Sequence, residues 1–233
     1  MKGYLWEGQS LAAGVSPLGA QEGRAYFGIT QAIAACEAPK DGAVAELSWN
    51  HAAFSLDGER GVIARQEGTA DALARRARAL GSNVPAVALD DLPGLWRKHG
   101  YRLEDMARIA ADRPLWAGVS VPDLYVPGWE HLMAAVDTVF LSPRDPLDIP
   151  RIDEPLAMLR ERFPNLRRLL VCPLWDALNG RPLAMGYLIA NWKALPRLYE
   201  LGLIDGFVLK GTCDIPFCPE QATYVQKIIG QLA

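Results

Sequence analysis

The chain has 233 residues, with 24 Lys and Arg against 27 Asp and Glu for a formal net charge of −3, and 50% of its residues are hydrophobic. A chain of this length buries most of the surface that its unfolded form exposes, so it requires neither disulfides nor a structural metal, and 1–233 reads as one domain. The charge balance lacks the basic footprint that phosphate backbones demand, which speaks against nucleic acid; with no apolar run long enough for a membrane and no leader-like start, the expected location is cytoplasmic.

Residues 1–42 offer two short strand candidates, Tyr4-Leu5-Trp6 and Ala25 to Thr30, in too little chain for two full βα units. From residue 43 onward, apolar runs alternate with helical patterns. The strand candidates are Ala43–Trp49, Val84–Leu89, Leu115–Val121, Thr138–Ser142, Leu169–Trp175 and Gly206–Lys210. Between them, Thr69 caps a helix that runs to Leu80 and stops at Gly81, and Glu154–Phe163 ends before Pro164. Met185–Leu201 carries Leu188, Trp192, Leu195 and Leu198 on one stripe, with Pro196 expected to kink or split it, and Glu220–Leu232 is a terminal helix.

Strands that are apolar on both faces and alternate with helices demand a parallel sheet covered by helices. An open nucleotide-binding sheet would carry a Gly-rich turn, and neither GxGxxG nor GxxxxGK[ST] occurs. A closed barrel accounts better for the polar and aromatic residues that collect where strands end, because (β/α)8 barrels place their sites on that face. These residues are Glu46, Trp49, Asn50 and His51; Asp90 and Asp91; Asp123; Arg144 and Asp145; Trp175 and Asp176; Lys210, Thr212 and Asp214. The expected fold is α/β, a (β/α)8 TIM-like barrel with an irregular or truncated N-terminal part.

Several short motifs follow that register: Ala88-Leu89-Asp90-Asp91, Arg113-Pro114-Leu115-Trp116, Val136 to Leu141, Leu170 to Asp176, and Leu201 to Val208. Across Val84 to Asp214 the chain resembles bacterial glycoside-hydrolase-like TIM-barrel domains. The resemblance implies the barrel and a sugar-like ligand. After the candidate strand Thr138–Ser142, at Ser142-Pro143-Arg144, the chain departs from the polar or aromatic residue that such relatives would carry.

Glycoside hydrolysis needs a carboxyl that protonates the leaving oxygen and an ionised carboxylate that acts as base or nucleophile, about 5 to 9.5 Å apart. Strand alternation sends one of Asp90 and Asp91 inward, facing Glu46, Asp123 or Asp176. If Val44 and Glu46 face the barrel, Glu46 is a mid-strand carboxylate that is costly unless paired or functional. Asp90, Asp91 and Glu46 are therefore the catalytic candidates, against the reading that one aspartate caps the helix opening at Leu92-Pro93.

Asp123 and Asp176 are candidate substrate contacts or plain loop and cap residues, and Asn50 is a further contact. Trp49, Trp175 and Trp129 lie where an indole face could stack on a sugar ring or fill the barrel, whereas Trp96 and Trp192 read as core. Lys210 shares a strand face with Val208 and suits either a Schiff-base lysine or a salt bridge to a strand-end acid. His51, His99 and His131 show no HExxH or HxH spacing, so no metal or other cofactor is called for. The expected function is carbohydrate hydrolysis; the alternatives are a Lys210 lyase or aldolase and a non-catalytic binding barrel. The expected partner is a small molecule or carbohydrate.

Overall fold

The computed structural model describes residues 1–7, 20–35, 43–47, 49–56, 59–66, 68–210 and 218–232, with the backbone alone described for 7, 20–22, 34, 35, 46, 49–56, 59–66 and 232. Eight parallel strands close into a barrel. In chain order they are β1 (Lys2–Glu7), β2 (Gln31–Ala35), β3 (Val44–Glu46), β6 (Val87–Leu89), β7 (Leu115–Ser120), β8 (Thr138–Ser142), β9 (Arg167–Pro173) and β12 (Gly206–Lys210). Around the barrel the order is β1-β12-β9-β8-β7-β6-β3-β2, and β1 pairs β2 to complete the ring. Two antiparallel hairpins stand outside it: β4 (Trp49–Leu56) with β5 (Glu59–Gln66), and β10 (Trp175–Asp176) with β11 (Arg181–Pro182).

The flanking helices are α1 (Ala20–Phe27), α2 (Ala70–Ala79), α3 (Leu92–His99), α4 (Leu103–Ala110), α5 (Asp153–Arg162), α6 (Met185–Glu200) and α7 (Pro219–Leu232). Short 3-10 segments at Val121–Tyr125 and Glu130–Ala135 stand between β7 and β8 in place of a long crossover helix. The architecture is consistent with a TIM-like barrel.

The period-two alternation of each strand sorts its apolar side chains into two cores. Tyr4, Trp6, Ile33, Val44, Ala86, Ala88, Trp116, Phe140, Leu169, Val171 and Val208 fill the barrel. Leu5, Val87, Leu89, Leu115, Leu141, Leu170, Cys172 and Leu209 face outward and pack with the helices. Inside, Tyr4 meets Trp116 edge-on at 5.0 Å between centroids, joining β1 to β7, which lies opposite in the ring. Arg167 closes this lower end. Its guanidinium lies 5.2 Å from the Tyr4 ring centroid and 5.7 Å from that of Trp116, and it donates to Tyr4 Oη at 2.8 Å.

At the same lower end, two aspartates fix strand register in the same way. Asp137 Oδ2 accepts from Leu115 N at 2.8 Å, and Asp205 Oδ2 accepts from Arg168 N at 2.7 Å. Each returns its own backbone N–H to the carbonyl of the same residue, so β8 and β12 are clamped to their neighbours before pairing begins.

Residues 25–30 do not form the expected strand. Ala25 to Phe27 finish α1, Gly28 turns with φ of 67°, and the strand begins at Gln31. Aromatic and β-branched residues there favour a strand locally, but Phe27 and Ile29 bury in the outer core, which decides the conformation. The expected strand 43–49 likewise divides, since β3 ends at Glu46 and Trp49 opens the β4–β5 hairpin. Pro196 does not split α6: it removes one backbone bond, while Leu188, Trp192, Leu195 and Leu198 hold the helix against the barrel.

Candidate functional site

Following the inward series past each strand end locates the mouth of the barrel. On β6, Ala86 and Ala88 lead to Asp90; on β12, Val208 leads to Lys210. These two strands lie opposite each other, and Lys210 Nζ reaches Asp90 Oδ2 at 3.2 Å, so an ion pair spans the top of the interior. The ammonium also sits 4.5 Å from the Trp6 ring centroid, and Trp6 leans edge-on against Phe140 at 5.0 Å. Of the two readings of Lys210, the geometry contains the salt bridge.

Gly118, on β7, makes room for this arrangement. A Cβ there would lie 2.8 Å from Asp90 Oδ1 and collide with the Phe140 ring. Sequence reasoning missed Gly118 as a site residue, although a glycine inside an apolar strand signals the close approach of another group. Trp6 was missed as well, being read only as part of a strand.

Asp90 and Asp91 take different roles because their side chains leave on different sides. Asp91 adopts a left-handed conformation at φ 56° and ψ 49° and caps α3, accepting from Gly94 N at 3.2 Å. Burial raises its pKa above the ordinary carboxylate value, and the charge of Asp123 adds to the shift; the Gly94 hydrogen bond and Arg144 oppose it.

The other predicted contacts are already engaged by the protein. Asp123 is buried, with one carboxylate oxygen accepting from Arg97 Nη1 at 2.9 Å and the other from Ser120 Oγ. Its backbone carbonyl accepts from Trp129 Nε1 at 3.1 Å, and Trp129 is fully buried in the outer core, so this indole is packing and not a stacking face. Asp176 is buried and closes the β10–β11 turn by accepting from Asn179 N and Nδ2 at 3.2 and 2.7 Å, with Arg181 Nε at 3.8 Å.

Trp175 is different. It is half-buried, and its indole N–H is enclosed with no hydrogen-bond partner among the described residues. The side chains of Glu46, Trp49, Asn50 and His51, and all of Thr212 and Asp214, lie outside the described residues. The backbone of Glu46 ends β3 in register with Ala88 of β6. Among the described residues, no three His, Cys, Asp or Glu side chains converge as a metal-binding group, and no helix is long and apolar enough to cross a membrane.

The mouth therefore offers a carboxylate held against an ammonium on an aromatic floor, with the indole of Trp175 on the rim. Compared with known proteins, the chain matches no family model and no curated protein.

Proposed function

We propose that the protein is an enzyme of glycoside-hydrolase type acting on a carbohydrate at the upper end of the barrel, with Asp90 as its anionic group and Glu46 as its proton donor. The observation that carries this reading is the position of Asp90, an inward carboxylate at the barrel mouth whose charge is balanced by Lys210 from the opposite strand. An anion so placed opposes the positive charge that develops on a sugar ring as its glycosidic bond breaks.

Glu46 ends the adjacent strand, two positions below Asp90 in register. A strand spacing of about 4.8 Å and a rise of about 3.3 Å per residue put their backbones about 8 Å apart, which suits a carboxylate pair. In the step proposed, Glu46 gives its proton to the leaving oxygen while Asp90 attacks the sugar carbon or activates the water that does. The resemblance to glycoside-hydrolase-like barrels supports the same reading. The test is a panel of aryl glycosides and oligosaccharides: Asp90→Asn and Glu46→Gln should each lower kcat by about 10²- to 10⁴-fold. Turnover that survives both substitutions overturns the proposal.

The same ion pair favours a second reading. Asp90, at hydrogen-bond distance from Lys210 Nζ, is placed to take the ammonium proton, freeing the amine to attack a carbonyl carbon. Loss of water then yields an iminium, with Asp90 returning the proton to the departing hydroxyl. Borohydride reduction in the presence of carbonyl compounds separates the readings, since a mass gain at Lys210 supports the lyase and its absence leaves hydrolysis.

A further inference from the structure

β4 and β5 pair over their whole length, from Trp49 opposite Gln66 to Leu56 opposite Glu59, and form a sheet of their own. With eight residues in each strand and a rise of about 3.3 Å per residue, the hairpin is about 26 Å long. It leaves the barrel just past Glu46, where β3 ends. A two-stranded ribbon is marginal in water and gains stability from further strands or a packed face. Of its two strands, β4 makes the closer approach to the barrel, beside β2, which leaves β5 as the outer edge. Among the described residues no further strand pairs with β5.

Alternate residues of such an edge direct their N–H and C=O groups away from the neighbouring strand, ready to pair with another. The usual guards against pairing are missing. β5 contains neither Pro nor Lys, its register with β4 runs without a bulge, and Gly61 to Ala64 carry no charge.

We infer that β5 pairs antiparallel with β5 of a second copy of this chain, so that two hairpins form one four-stranded sheet about a two-fold axis at Val62. The sequence of β5 is complementary to its own reverse about that residue. Centred on Val62, the pairing sets Glu59 opposite the partner's Arg65, Arg60 opposite the partner's Ala64 and Gly61 opposite the partner's Ile63, and the axis repeats each pair. Opposite charges then meet at both ends of an uncharged middle. The neighbouring axes lose this match, since centring on Gly61 sets Glu59 against Ile63, and centring on Ile63 sets Arg65 against Gly61. Within the hairpin, Glu59 and Arg65 stand opposite the uncharged Leu56 and Asn50, so their charges are not needed for the pairing of β4 with β5. This interface is independent of the chemistry assigned to the barrel mouth.

The experiment measures the mass of the full chain by sedimentation over a range of concentrations. A reversible dimer is expected. Glu59→Arg and Arg65→Glu should each weaken it about tenfold or more, because each replaces two attractive pairs with two like-charge pairs. The double variant Glu59→Arg with Arg65→Glu restores opposite charges across the axis and should restore the dimer. Register is read by disulfide trapping under copper–phenanthroline oxidation. Val62→Cys places two thiols opposite each other, with Cα atoms about 5 Å apart, and should crosslink. In Ile63→Cys the two positions are offset by two residues and lie about 8 Å apart, beyond the reach of a disulfide. Trypsin, cutting after Arg60 and Arg65, isolates the linked segment 61–65 from the native cysteines for mass spectrometry. A chain that stays monomeric at about 100 μM, a dimer indifferent to the charge reversals or not rescued by the exchange, or a failure of Val62→Cys to crosslink more than Ile63→Cys overturns the inference.

Discussion

Replacing Lys210 with Met removes the ammonium that lies over Trp6 and with it the ion pair to Asp90 across the barrel. Two unit charges 3.2 Å apart attract by about 5 kcal/mol at an effective dielectric constant of about 20. Side-chain exposures of 25% for Lys210 and 18% for Asp90 leave both groups in reach of water, which screens the attraction, and each also loses hydration on pairing. The net coupling expected is about 1 to 3 kcal/mol, above the value for an exposed pair. A double-mutant cycle through Lys210→Met, Asp90→Asn and the double variant, read by urea denaturation, isolates this term. At about 2 kcal/mol, the coupling corresponds to a Tm difference of about 4 to 8 °C for a domain of this size. A coupling below about 0.5 kcal/mol would refute the view that the pair holds the mouth together.

Gly118→Ala should cost about 1 to 3 kcal/mol and lower the affinity for any ligand that contacts Asp90, because the new methyl displaces either Asp90 or Phe140; unchanged stability in thermal unfolding would show that the space is not needed. Asp91 yields a pH dependence of stated sign. Its folded pKa is raised by burial and by Asp123, so the folded state retains this proton to higher pH than the unfolded state, and its contribution to stability falls as pH rises through the folded value. Asp91→Asn, which keeps a cap and tolerates the left-handed backbone, should therefore be more stable than the parent near pH 7 and lose that advantage on acidification below the ordinary carboxylate value of 3.8. A difference independent of pH would contradict the assignment.

Local patterning was sufficient for most of the later strands and for the helices with clear start or stop residues, but not for α3 and α4. The alternation of Val208, Leu209 and Lys210 identified the inward lysine, and Thr69, Gly81 and Pro164 marked helix ends near those observed. The split between Asp90 and Asp91 was legible as a choice, but which aspartate turns inward depends on the register of β6 between β3 and β7. Residues 25–30 misled because their β-propensity yields to burial of Phe27 and Ile29 against distant parts of the chain. Arg97 was not legible as a site residue, and Gly118 signalled a close approach without naming what approaches. Their meaning comes from Asp123, 26 residues away, and from Phe140 and Asp90 on other strands, and no local spacing encodes those meetings.

Arg167, stacked against Tyr4 and Trp116, and the side chains packed above it plug the barrel from its lower end upward. A plugged barrel offers no passage between its two ends, so a ligand of the mouth must arrive and depart on the same side. A long polymer cannot thread through such a barrel, so it must either lie across the rim or present one chain end to the floor formed by Trp6 and Phe140. The first geometry allows cleavage within a chain and the second only at its terminus, so the length distribution of early products would reveal how a polymer engages the mouth.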